Sequence, residues 1–366
     1  MSKVKKQHFV PQFYLSRWAI KAGTRQVYVF NKELEKSYIS NIQDIASANY
    51  FYDFPKMTDE QKNDFIQRLK NHKKIPPAQI EEIIAFTEEQ VLEKAFGELE
   101  SINSKIIQNI ITRLENFKSL PLKYFVKNPV LNADEILELS YYIATQHTRT
   151  EEMRIIIEQL TQKMAKHLSD MNFAHIDDLA KDTQLIKEMG EENFQALYES
   201  VKSGKFTKDS YTISINKDYI KLDHIKLVFE LADQIANILM HYKWIVLINN
   251  TDIPFVTSDS PVVKKANLQH PFYSYGFASK GIEIFFPLSP KYAINIIEPS
   301  FFREKLPLLL EITLLCCTEE NIIHYNDLIT QEATSQVYSN QNDFSWIRKR
   351  IKDTPNIAKK HRKRIA

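Results

Sequence analysis

Residues Gln7–Trp18 read Q-H-F-V-P-Q-F-Y-L-S-R-W, which sets a histidine, two glutamines and an arginine among six large apolar residues. A chain terminus is ordinarily polar and frayed. One with this much Phe, Val, Tyr, Leu and Trp is suited to burial. The stretch is expected to dock into the core with His8 at its edge, and the rest of the chain must supply the surface that receives it.

Directly after it, R-Q-V-Y-V-F-N (25–31) and K-S-Y-I-S (36–40) alternate as two strands around a turn at Lys32–Glu35. Val27 and Val29 share one face, Tyr28 and Phe30 the other. A short helix at Ile42–Ala46 and the aromatic cluster Tyr50-Phe51-Tyr52 close a small unit. From Thr58 the period turns helical: a capping box at Thr58–Gln61 opens a helix to about His72, and Pro76-Pro77 starts another through Ile80, Ile83, Ile84, Val91 and Leu92. Further helices are expected over Asn132–Asp170, Glu191–Val201 and Leu222–Tyr242, with Lys202–Lys208 as an exposed loop. From Trp244 strands return as W-I-V-L-I-N, P-F-V-T-S, I-E-I-F-F and Y-A-I-N-I-I. A last strand at Ile312–Cys317 precedes a helix over about Glu319–Val337.

The fold class is α+β: an N-terminal hairpin and C-terminal antiparallel strands packed together, with a large helical body between them. A lone hairpin is marginal in water, so the two strand regions need one another. The expected divisions are 1–55 (motif and hairpin), 56–242 (helical body), 243–347 (strands and helix) and 348–366 (basic tail). A chain of 366 residues exceeds the size at which one core usually stops growing.

Glycine is scarce, with six in all, and no G-x-G-x-x-G can be made from them. Gly276 and Gly281 have P-loop spacing, but Ile282 stands where lysine is needed, which argues against a P-loop NTPase, a kinase or a standard dinucleotide fold. The only cysteines, Cys316 and Cys317, are adjacent in an apolar run and read as buried free thiols in a reducing compartment. With neither a signal-peptide pattern nor a run of about 20 apolar residues, the expectation is a cytoplasmic protein without a membrane partner.

The net charge of +2 is uneven: residues 348–366 carry nine Lys or Arg against Asp353 alone. Attraction to nucleic acid is expected to concentrate there. A solvated tail is the competing reading of K-K-H-R-K-R.

Two internal constellations could carry chemistry. In Y-Y-I-A-T-Q-H-T-R-T-E-E-M-R (141–154), helical spacing aligns Tyr142, Gln146, Arg149 and Met153. A buried Arg there requires either an anionic ligand or a carboxylate at a helix crossing. In I-P-F-V-T-S-D-S-P-V-V (253–263), an apolar strand delivers Ser258 and Asp259 to its end, where they serve a site or merely an Asx or Ser/Thr turn. Ten histidines form no H-E-x-x-H or H-x-H, so no metal ligands are assigned and any cofactor is unknown. An HNH nuclease would need a second histidine nearer than His72, and Glu283-Ile284-Phe285 lacks the lysine of E-x-K.

Q-H-F-V-P-Q-F-Y-L at the start, Q-H-T-R-T at 146–150, F-V-T-S-D-S-P-V at 255–262 and P-L-S-P at 287–290 together resemble an uncharacterised bacterial family, domain-of-unknown-function family 4238. The resemblance runs from about Gln7 to Val337. It implies no activity, but it singles out His8, Gln146, Arg149 and Asp259 as a set. Where that family often has H-H-x-V-P, Gln7 takes the first position, which counts against a two-histidine metal site. The expected function is an intracellular enzyme acting on a phosphodiester or nucleotide, a nuclease-type effector. Its catalytic groups are His8, Arg149 and Asp259, with Gln146 and Ser258 binding substrate. The rival expectation is a non-catalytic binding or scaffold protein with an Arg-centred pocket for an anionic ligand or partner segment.

Overall fold

In a computed structural model of the chain, residues 4–53, 60, 63, 67, 91–117, 119–268 and 275–364 are described. The expected helices over 58–72 and 77–90 lie outside them, save Glu60, Asn63 and Gln67, which are helical and exposed. The N-terminal stretch forms β1 (Lys6–His8), α1 (Gln12–Leu15) and a 3-10 turn to Trp18. β2 (Gln26–Asn31) and β3 (Lys36–Asn41) make the hairpin, and β4 (Ser47–Asn49) returns antiparallel to β1. α2 (Val91–Leu114), β5 (Phe125–Val126), α3 (Ala133–Thr148), α4 (Glu151–Ala174), α5 (Ile176–Leu179), α6 (Thr183–Met189), α7 (Glu191–Lys202) and α8 (Lys217–Met240) follow. The remainder is β6 (Lys243–Asn249), β7 (Thr257–Ser258), β8 (Val263–Ala266), β9 (Ile282–Pro287), β10 (Tyr292–Ile297), α9 (Pro299–Lys305), α10 (Leu308–Glu311), β11 (Leu314–Cys317), α11 (Glu319–Glu332), β12 (Gln336–Ser339) and α12 (Ser345–Asp353).

Two units divide the chain. One spans Met1–Arg154 with Lys221–Arg362, the other Ile155–Ile220 with the chain end from Lys363. In the first, a six-stranded sheet runs β5-β11-β6-β10-β9-β8 and a four-stranded sheet runs β3-β2-β12-β7. The hairpin and the C-terminal strands therefore do pack together, through a strand the sequence did not announce. β12 pairs antiparallel with both β2 and β7. β11 departs from the antiparallel expectation, running parallel to β6. The second unit holds α5–α7 and an aromatic cluster in which Phe173, Phe206 and Tyr211 sit 5.0–5.3 Å apart.

Three local differences have physical causes. The helix expected over Asn132–Asp170 breaks at Arg149–Thr150, because the Thr150 hydroxyl accepts from Met153 N at 3.3 Å and caps α4. The strand expected at P-F-V-T-S shrinks to Thr257–Ser258, since Phe255 N bonds Pro290 O and Val256 N bonds the Asn326 side chain. The helix expected to reach Val337 stops at Glu332, and β12 begins at Gln336.

The opening stretch docks as its composition demands. Phe9, Val10, Tyr14, Leu15 and Trp18 are all buried. Trp18 Nε1 donates to Phe255 O at 2.9 Å. The Tyr14 hydroxyl donates to Pro287 O at 2.8 Å, which leaves the Thr257 hydroxyl, also at 2.8 Å, as donor to it. Tyr14 thereby ties the N-terminus to both β7 and β9. Tyr14→Phe is expected to cost about 1–3 kcal/mol, because it strips partners from buried polar groups. Tyr14→Ala, which also opens a cavity, should cost about 3–5 kcal/mol. Urea unfolding of both variants measures this; equal midpoints for wild type and Tyr14→Ala would disprove the docking.

Candidate functional site

α2 and α3 lie antiparallel, held at both ends by charge. Arg113 meets Glu135 through two hydrogen bonds of 2.8 and 2.9 Å, and Arg149 Nη2 meets Glu100 at 2.8 Å. Glu135 also closes a capping box with Asn132, which fixes where α3 starts. Arg149, the C-cap of α3, is 1% exposed and its guanidinium lies 4.6 Å above the Phe96 ring. It gives two of its donors to the N-terminal stretch: Nε donates to Phe9 O at 3.1 Å and Nη2 to His8 O at 3.0 Å. Gln146 Nε2 donates to the same Phe9 carbonyl at 2.8 Å. Gln7 is held in turn by Tyr52 N and Asp53, and the Tyr52 hydroxyl donates to Arg149 O. The two quoted motifs thus recognise each other within one chain.

His8 meets Arg149 only through its backbone carbonyl. Its ring Nδ1 lies 3.4 Å from Gln12, and burial pulls the imidazole down to about 4, so it is neutral at pH 7. Asp259 and Ser258 belong to a second network. The Asp259 carboxylate accepts four hydrogen bonds of 2.8–3.0 Å, from the N–H groups of Thr334, Ser335 and Gln336 and from the Ser335 hydroxyl. Burial still raises its pKa, against the pull of Lys32. Ser258 Oγ accepts from Ser260 N, an ordinary turn bond. Lys32 is fully buried and donates to Thr330 O and Ala333 O at the end of α11; burial pulls its ammonium down to about 7. Arg362 donates to Gln331, Glu332, Ala333 and Thr334 carbonyls, and Lys360 pairs with Glu151 at 2.8 Å. That part of the basic tail is anchored, not solvated. Glu152, just beyond the α3–α4 break, belongs to this second network and accepts from the Thr334 hydroxyl at 2.9 Å.

The structure therefore brings His8, Gln146 and Arg149 together and sets Asp259 with Ser258 apart from them. Sequence reading missed what surrounds Arg149. Tyr142 OH, Thr145 Oγ1, Gln146 Oε1 and Arg149 Nη1 lie along one stripe of α3, buried and without a hydrogen-bond partner among the described residues. Arg17 Nε and Asn103 Oδ1 share that condition on the facing elements. Arg17 reaches α2 at Ser104 O and Gln108, while Phe13 packs 5.9 Å from Tyr142. The Gln146 amide cannot usefully turn over, because its carbonyl would then face Phe9 O. Beside them, burial pushes Glu93 up to about 7 despite Arg149. Arg17 was legible in S-R-W; Glu93, Glu100 and Asn103 sit in a helix whose sequence marks none of them.

Among the described residues no group of three or more His, Cys, Asp or Glu is placed to hold a metal ion, and no helix is long and apolar enough to cross a membrane. The family model described as "Protein of unknown function (DUF4238)" matches residues 6–343. No curated protein and no solved structure matches the chain.

The α3–α4 break is braced by His224, fully buried, whose Nε2 donates to Thr148 O at 2.8 Å while Nδ1 accepts from Arg154. Those roles require a neutral ring, and burial with Arg154 nearby holds its pKa at about 3, against 6.5 when free. The unfolded chain takes up the proton first, so stability is full above pH 6.5 and falls as pH drops towards 3. The expected slope from this residue is about 1.4 kcal/mol per pH unit. Unfolding midpoints measured from pH 7 to 4.5 should fall more steeply for wild type than for His224→Gln. Parallel slopes would refute the assignment.

Proposed function

We propose, for a chain that belongs to the DUF4238 family of proteins of unknown function, that it is a non-catalytic binding protein taking a small anionic group at the junction of α2, α3 and the N-terminal stretch. The observation that carries this reading is Arg149 Nη1. It is a buried cationic donor left over after Phe9 O, His8 O and Glu100 have taken the rest. Arg is suited to a carboxylate or a phosphate, and Tyr142 OH and Arg17 Nε add donors for the same group. Gln146 Oε1 and Asn103 Oδ1 add acceptors, which suits a ligand that also bears N–H or O–H, such as a nucleotide.

Hydrolysis of a phosphodiester through His8, Arg149 and Asp259 is less well supported by the same geometry. A proton-transferring histidine and a carboxylate must reach one reacting atom. Here the Asp259 oxygens are occupied by the 334–336 backbone, and His8 turns its carbonyl, not its ring, to Arg149. A nucleic-acid partner would find Lys349, Lys352 and Lys359 exposed for phosphate contact.

Inorganic phosphate, acetate and a nucleoside monophosphate are the probes, read by thermal shift and calorimetry. Wild type should be stabilised by at least one of them. Tyr142→Phe should lose that response while keeping or slightly raising its ligand-free stability, because a buried hydroxyl without a partner costs about 1–3 kcal/mol. Arg149→Lys should lose both binding and stability, since one ammonium cannot serve Glu100 and two carbonyls in the guanidinium's geometry; with the Glu100 side chain 27% exposed, the loss should fall below the about 3–5 kcal/mol of a fully buried pair. Cleavage of DNA, RNA or a nucleotide that depends on both His8 and Asp259 would overturn the non-catalytic reading. A Tyr142→Phe protein that binds every probe as wild type does would overturn the placement of the site.

A further inference from the structure

The free edge of β3 is unlike the other strand edges. A strand edge presents a row of unpaired N–H and C=O groups, and proteins guard such rows with shortness, lysines, prolines or cover. The six-stranded sheet ends in β5, two residues long, and in β8, which carries Lys264 and Lys265. The four-stranded sheet ends on one side in β7, again two residues, with Thr257 and Ser258 buried. On its other side is β3, K-S-Y-I-S-N, six residues long, with no proline and one charge, Lys36 at its first position. Its only ladder partner among the described residues is β2. Both faces are open as well: Tyr38 is 41% exposed and Ile39, on the opposite face, 52%.

We infer that this edge is a self-association surface, on which a second copy of the chain adds its own β3 antiparallel to the first. Two-fold symmetry perpendicular to the sheet keeps every side chain on its own face, so a residue can pair only with one of the same face. Centred on Tyr38, the register sets Tyr38 against Tyr38, Ser37 against Ile39 and Lys36 against Ser40 of the other copy. No like charges oppose one another, Tyr38 gains cover from its own counterpart, and Ile39 from Ser37 opposite it and, diagonally, from the other Ile39. An unrelated extended peptide would draw its specificity from side-chain pockets flanking the edge. β3 has open faces instead, which favours a second copy. The pairing of two six-residue strands buries less than the roughly 1,200–2,000 Å² of a standard interface. The dimer is therefore concentration-dependent, not obligate.

The full chain should be followed by sedimentation velocity across low to high micromolar concentration. Its weight-average mass is expected to rise from one chain towards two. Tyr38→Lys places two lysines directly opposite and should hold the chain at monomer mass with an unchanged melting temperature, since the site is exposed. Hydrogen exchange of the wild type is the second measurement. Residues 36–41 should exchange more slowly at high than at low concentration. A wild type that stays monomeric throughout overturns the proposal, as does a dimer that Tyr38→Lys leaves intact. Protection of 36–41 that appears only on adding another protein's peptide would reassign the edge to that partner and also overturn it.

Discussion

The carbonyl oxygen of Phe9 accepts from both Gln146 and Arg149, and much of the first unit depends on that shared bond. An extended segment driven into a core carries backbone groups that lose their water, and each must find another partner. β1 solves part of this with β4, but β4 reaches no further than the pairing of His8 with Ser47, after which Ala46 O takes the N–H groups of Phe9 and Val10. The carbonyls of His8 and Phe9 face α3 instead, where a planar guanidinium and an amide supply three donors at 2.8–3.1 Å. That arrangement accounts for the depth to which the N-terminus is buried. It also accounts for an arginine at a helix C-cap, where its charge additionally favours the helix dipole.

The second network applies the same economy to the end of α11. Its last carbonyls are taken by Lys32 and Arg362, from the hairpin turn and the chain end, while Asp259 collects the next three N–H groups. The chain is thereby turned from helix into β12, the strand that joins β2 to β7. A lysine held near 7 is the electrostatic consequence: burial and Arg362 disfavour its charge, and the nearby Asp259 and Glu152 only partly offset them. The Asp259 network is saturated, which is the mark of a structural turn.

How much of this was legible depended on the range of the interaction responsible. Buried aromatics in Gln7–Trp18, alternation in β2 and the apolar runs that form β6, β9 and β10 are local, and they gave the α+β class with its two strand regions in contact. The α3–α4 break was also local but misread: Thr150 offered a cap, and the helical period ran across it. β12 could not be read, because what ends α11 is supplied from residues 32, 259 and 362. The same holds for the site. The stripe 142, 146, 149 was visible as a period, whereas which of its polar atoms would find partners depended on His8, Phe9 and Glu100, whose approach no spacing records.

The contrast between the two networks supports the proposed site at the Arg149 junction. A chain under pressure only to fold would fill the Arg149 junction as it fills the Asp259 turn, with every donor met. Replacing Tyr142 by Phe or Thr145 by Val would leave the packing nearly unchanged and remove buried polar atoms that cost free energy unpaired. Local preference and stability agree from the capping boxes to the paired carbonyls of the N-terminal stretch. Buried polar atoms without a partner among the described residues occur singly elsewhere, as at Ser47 and Asn295, but six of them belong to the Arg149 junction, four on one stripe of α3, beside a cation already fixed in place by a backbone it cannot leave. Violations of that kind gather at sites that bind something. A pre-positioned guanidinium with one free arm loses little conformational freedom when an anion arrives.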